Sequence, residues 1–201
     1  IKPILNMDEQ ALIKNALENA KSRKTLDEHP EYEAMARRLA ILYDKNKDDD
    51  LARKAILIML QFADTYDNVP KILDQNDLFH AHGRYISMDC LYGYDLIYNS
   101  KAWDILEEEL DRPVREIVEN WFLDSFMNLY NIHNDTYYSN ITPYGIRNAM
   151  GVAVVLNKPD IIRLMIPWID TLFSGKQFHA DGMWQEGTIS YGAQVTNNTN
   201  L

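Results

Sequence analysis

Cysteine is almost missing from this sequence. The single thiol, Cys90, cannot form an internal disulfide, so the fold has to hold by packing. Glycine is sparse as well: eight residues, set against many Ala, Leu, Ile and Met, favour helix over sheet. No stretch of eighteen consecutive apolar residues occurs, so a membrane span is not expected. Positive charge is in deficit, with 20 Lys and Arg against 30 Asp and Glu and a formal charge of −10. That balance argues against nucleic acid, because binding phosphates needs a basic face. What remains is an ordinary 46% apolar content, suited to one helical domain over residues 1–201. The chain starts at Ile1 rather than Met, and we expect an upstream segment such as a signal peptide to have been removed.

Helical periodicity runs through most of the chain. Asn6 and Glu9 have capping-box spacing, and Leu12, Ile13, Ala16, Leu17 and Ala20 follow on one face. A second stripe (Tyr32, Met35, Ala36, Leu39, Leu42) follows Pro30. Lys45 to Asp50 reads as a charged turn, with Asp49 and Asp50 suited to the positive end of the next helix. That helix carries Ala52, Ala55, Ile56, Met59, Leu60 and Ala63 and stops before Pro70. Periodicity fails between Val69 and Met88, then resumes over Asp89–Tyr98 with a Tyr-rich surface that could stack sugar rings. A long helical region from Trp103 to Tyr130 is broken at Asp111-Arg112-Pro113. Thr142-Pro143 reads as an N-cap and first-turn pair for a helix to about Leu156, and Ile161 to Phe173 forms another. The recurring unit is a helix pair of roughly forty to fifty residues. The expected fold is therefore all-α, an incomplete α/α toroid of antiparallel helix hairpins.

Chemistry gathers in three breaks. The densest is 177–194, which holds His179, Asp181, Trp184, Glu186 and Tyr191 with three glycines. Asp181-Gly182 reads as a tight turn, because Asp bonds its own backbone and Gly accepts positive φ. The second is Phe79-His80-Ala81-His82-Gly83-Arg84-Tyr85. Its His-x-His spacing invites zinc, but no third His or Cys stands at ligand spacing, so we expect a substrate-contacting or structural loop and no metal. The third runs from Asn131 to Pro143, where Asn140 stands just ahead of an expected helix N-terminus that favours negative charge.

The run Asp-Gly-x-Trp-x-Glu-Gly-x-x-x-Tyr, Asp181 to Tyr191, resembles the Asp-Gly-x-aromatic-x-Glu-x-Ser-x-x-Tyr signature of heparinase II/III-like polysaccharide lyases. More distantly, it is similar to the Asp-Gly-Ser-Phe segment of chondroitin and hyaluronan lyases. The resemblance covers the last seventy residues best. It implies that Tyr191 is the catalytic acid and, as in many of those enzymes, the base. Related toroid lyases place an Asn fifty to sixty residues before that Tyr, and Asn140 matches the slot, although Ile141 follows it where they often have His or Trp. The implied reaction is β-elimination in a uronic-acid polysaccharide, without a cofactor. Asn140 would neutralise the carboxylate, and Glu186, Trp184, His82, Arg84, Arg147 and His179 would contact substrate or tune Tyr191. The family also implies a periplasmic or secreted location and further catalytic residues in a C-terminal β-rich region. No such region lies in these 201 residues, so we expect part of a longer protein.

An acidic glycan sits awkwardly with a charge of −10, but local field inside a cleft can outweigh net charge, and Arg84, Arg147, Lys176, His82 and His179 are the cations available. Two other readings stay open. One is an α/α-barrel glycoside hydrolase with Asp181 and Glu186 as its carboxylate pair. The other is a helical carbohydrate-binding or scaffold module without chemistry.

Overall fold

A computed structural model describes residues 2–22, 30–66, 88–133 and 142–173. The fold is all-α, and no strand occurs among the described residues. The helices are α1 (Lys2–Leu5), α2 (Glu9–Ser22), α3 (Pro30–Asn46), α4 (Asp49–Tyr66), α5 (Met88–Ile97), α6 (Ala102–Leu110), α7 (Val114–His133), α8 (Thr142–Val155) and α9 (Pro159–Phe173). The chain divides into two compact units, Ile1–Ser125 and Phe126–Leu201.

The first unit is built on α4. Every residue from Lys54 to Leu60 is buried, and Leu51, Ala52, Phe62 and Tyr66 are buried too. A helix apolar nearly all round needs neighbours on every side. It finds them in α2, α3, α5 and α6. Lys54, the one charge in the buried run, keeps its ammonium satisfied by reaching out along its stem. Its Nζ donates to the Leu5 carbonyl at 3.1 Å and pairs with Asp50 at 3.0 Å.

Short turns set the hairpins. Lys47 and Asp48 alone join α3 to α4, so these two packed helices run antiparallel. Lys47 takes the left-handed conformation (φ 54°) usual just past a helix end, and its N–H donates back to the Tyr43 carbonyl. The turn is thus narrower than the sequence suggests. The cap of α2 also differs: Asp8, not Asn6, accepts the Ala11 N–H at 2.9 Å. A carboxylate one residue before Glu9 is better placed for the second or third N–H of the helix than a side chain three residues before it. Between α6 and α7, Asp111 is left-handed (φ 49°) and its N–H caps onto the Glu107 carbonyl. Pro113 then precedes the first residue of α7, where its missing N–H costs nothing. Arg112, in the same turn, grips Asp64 of α4 through both terminal guanidinium nitrogens, at 3.0 and 2.5 Å.

In the second unit α8 and α9 form another hairpin. Asn157 is left-handed (φ 52°), Lys158 N–H donates to the Ala153 carbonyl at 2.8 Å, and Pro159 opens α9 two residues before the expected start. Ile161, Met165, Trp168 and Leu172 make the buried stripe of α9, and Ile146, Ala149, Val152 and Ala153 that of α8. Trp168 stacks on Tyr130, with centroids 5.5 Å apart and planes at 15°. No helix among the described residues is long and apolar enough to cross a membrane.

Helix α5 packs tightly on its neighbours at Gly93. A Cβ built there would meet Met59 Cε of α4 at 3.0 Å and the Arg37 Cα of α3 at 3.3 Å, so any side chain would press on both helices. Met59 can swing aside, but the α3 backbone cannot. Gly93→Val should therefore destabilise the chain by about 1–3 kcal/mol through overpacking. The measurement is urea unfolding, with a lowered midpoint at unchanged slope.

Candidate functional site

Of the residues expected to act on substrate, one lies among the described residues. Arg147 is on α8, a turn and a half from its start, half-buried. Its helical position, seven residues before the exposed Val154, places it on the side of α8 away from the buried Ile146–Ala149–Ala153 stripe. Tyr191, Asn140, Glu186, Trp184, His82, Arg84 and His179 lie outside the described residues, as does Asp181. Asn140 precedes the start of α8 by two positions in sequence.

The described residues contain a polar and aromatic cluster that periodicity alone did not single out. Tyr94 of α5 is fully buried, and its hydroxyl donates a short hydrogen bond to Glu119 of α7. Its ring meets Trp103 and Phe122 edge-on, each at 5.4 Å, and Tyr98 at 5.8 Å. Arg115 lies one turn before Glu119, with its guanidinium 4.9 Å from the Tyr98 ring centre and 5.3 Å from that of Trp103. Trp103 Nε1 donates to the Ile97 carbonyl at 3.0 Å, so the polar tips of the two buried rings, Tyr94 and Trp103, each have a partner. Ser100 Oγ donates to Asp49 at 2.8 Å and accepts the Ala102 N–H at 3.1 Å, tying the start of α6 to the start of α4.

This geometry bears on the Tyr-rich surface of α5. Tyr94 is core. Tyr92 and Tyr98 are exposed, yet Arg37 and Arg115 each occupy a ring face, and Arg37 is also paired with Asp89 at 2.9 Å. A sugar stacking on those faces would have to displace a cation–π contact of about 0.5–1 kcal/mol. Sequence spacing gave the helix but not the arginines, which come from α3 and α7.

Burial is the main force on the Tyr94 hydroxyl, and the Glu119 carboxylate beside it works the same way: both push its pKa well above the ordinary tyrosine value. A tyrosine that transfers protons needs the opposite shift and access to substrate. Tyr94 has neither, and it serves as a structural pin between α5 and α7. Among the described residues no group of three or more His, Cys, Asp or Glu side chains could hold a metal ion. Comparison with known proteins found no matching family model, no matching curated protein and no matching solved structure.

Tyr94→Phe keeps the ring packing and removes the bond to Glu119. The variant should lose about 1 kcal/mol at neutral pH. A raised folded pKa means that native Tyr94 holds its proton after the unfolded chain has released its own. That stabilisation is complete below the unfolded value of about 10 and is lost as pH rises past it. Wild type should therefore lose more stability than Tyr94→Phe above about pH 10, checked by chemical unfolding at a series of alkaline pH values.

Proposed function

We propose that this chain is the helical part of a polysaccharide lyase that cleaves an acidic, uronate-containing glycan by β-elimination, outside the cytoplasm. The observation that carries the reading is the Asp181–Tyr191 run, with Asn140 about fifty residues before it. The helix hairpins α3–α4 and α8–α9 support it, since an α/α toroid is assembled from such pairs. The start of α8 at Thr142 supports it further, because Asn140 then stands ahead of a helix N-terminus, where a carboxylate is favoured.

The chemistry follows from the difficulty of the step. Removing the C5 proton of a uronate places negative charge in its carboxyl group. Asn140, with the free N–H groups of the helix start, would stabilise that developing charge. The bond between C4 and the glycosidic oxygen then breaks, a double bond forms between C4 and C5, and Tyr191 protonates the leaving oxygen. An unperturbed tyrosine has a pKa of about 10. A cationic neighbour, Arg147 or His179, is what would allow Tyr191 to take the C5 proton as well. Glu186 would hold the loop or a sugar hydroxyl, and Trp184, His82 and Arg84 would line the sugar subsites. Further catalytic groups would come from a β-rich segment of the same protein.

Tyr191→Phe removes one hydroxyl and keeps the ring. Assayed against a panel of uronate glycans by the ultraviolet absorbance of the conjugated product, it should lose about 10²-fold or more in kcat with helicity unchanged. Unchanged turnover would make Tyr191 a packing residue and overturn the mechanism.

A further inference from the structure

Helix α9 has two apolar rows, one buried and one only partly covered. The buried row is Ile161, Met165, Trp168 and Leu172. One residue on, about 100° around the helix, Ile162, Ile166, Ile169 and Phe173 repeat the same four-three-four spacing. Ile166 is 49% exposed and Phe173 59%, and Ile162 and Ile169 are half-buried. Four-three-four spacing is that of the d and a positions in a helix seam. Scattered exposed apolar residues need no explanation, but a continuous row in seam register does.

The charges beside the row indicate what it fits. Arg163 follows Ile162 directly, and Asp170 follows Ile169 directly, so both lie on the same flank in the same register position. In an antiparallel pair of identical helices related by a two-fold axis, residues in that position face one another across the seam. Arg163 of one copy then meets Asp170 of the other, and the contact occurs twice. The present partner of Arg163 is Asp160, through an ion pair in which both side chains are largely exposed. Such a pair is worth little and is easily exchanged. On the opposite flank stand Met165 and Leu172 of the buried row, so the seam continues into the core of the unit.

We propose that the Ile162–Phe173 row of α9 is a self-association surface, on which a second copy of this chain docks antiparallel through Ile166, Ile169 and the reciprocal Arg163–Asp170 pairs. A face of two heptads is smaller than a standard interface, so the association should be weak, in the micromolar to millimolar range. It is independent of the lyase reading.

Sedimentation velocity over that concentration range tests it. Wild type should move from monomer towards dimer with rising concentration. Ile166→Asp, at an exposed position, should stay monomeric with wild-type helicity. Arg163→Asp should weaken association about tenfold, because two attractive pairs become repulsive. Arg163→Asp combined with Asp170→Arg should restore it to within about threefold, since the pairs re-form with their signs exchanged. The double change also puts acid near the helix start and base near its end, where the dipole favours them. A wild-type chain that remains monomeric throughout, a dimer indifferent to Ile166→Asp, or a double variant no tighter than the single one would each overturn the proposal.

Discussion

Burial of α4 on all sides is the constraint on which the first unit depends. Seven consecutive buried residues, Lys54 to Leu60, cannot be satisfied by one neighbour, so α2, α3, α5 and α6 have to close around them. The polar features of the unit follow from that closure. Lys54 reaches the Leu5 carbonyl because its own helix position is covered. Ser100 bonds Asp49 because the N-terminus of α6 is brought against that of α4. Gly93 is bare because α5 comes up against both the Arg37 backbone of α3 and Met59 of α4.

Much of this was legible in the residues. The apolar stripes of α2, α3 and α4 stand at the spacing expected, and breaks at Asp111–Pro113 and ahead of Pro159 fall where proline and left-handed residues end helices. What spacing could not supply was the partner across space. Nothing local in α5 announces that Arg37 and Arg115 cap its exposed tyrosines, or that Glu119 receives the Tyr94 hydroxyl. The spacing points to Asn6 as the cap of α2 and the structure uses Asp8, because several residues there can cap and which one does is settled only by where the chain turns. Of the site, Arg147 is the member that lies among the described residues, half-buried on α8.

Tyrosine illustrates how environment rather than identity decides a role. Tyr94 is sealed in apolar surroundings beside a carboxylate, both of which hold its proton on, so it can only brace α5 against α7. A tyrosine that takes a proton needs a cation beside it, and for Tyr191, in a run rich in polar residues, Arg147 and His179 are the cations proposed. Under the proposed reading, the charge of −10 would leave the attraction of an acidic glycan to such local groups.

The most direct test of the central claim is the fate of water during cleavage. A uronate oligosaccharide incubated with the protein in heavy-oxygen water should yield an unsaturated product carrying no heavy oxygen, because β-elimination breaks the glycosidic bond without consuming water. Heavy oxygen at the new reducing end would instead mean hydrolysis, and would transfer the chemistry to a carboxylate pair such as Asp181 and Glu186. Glycan left intact by the folded full-length protein would contradict the lyase reading altogether.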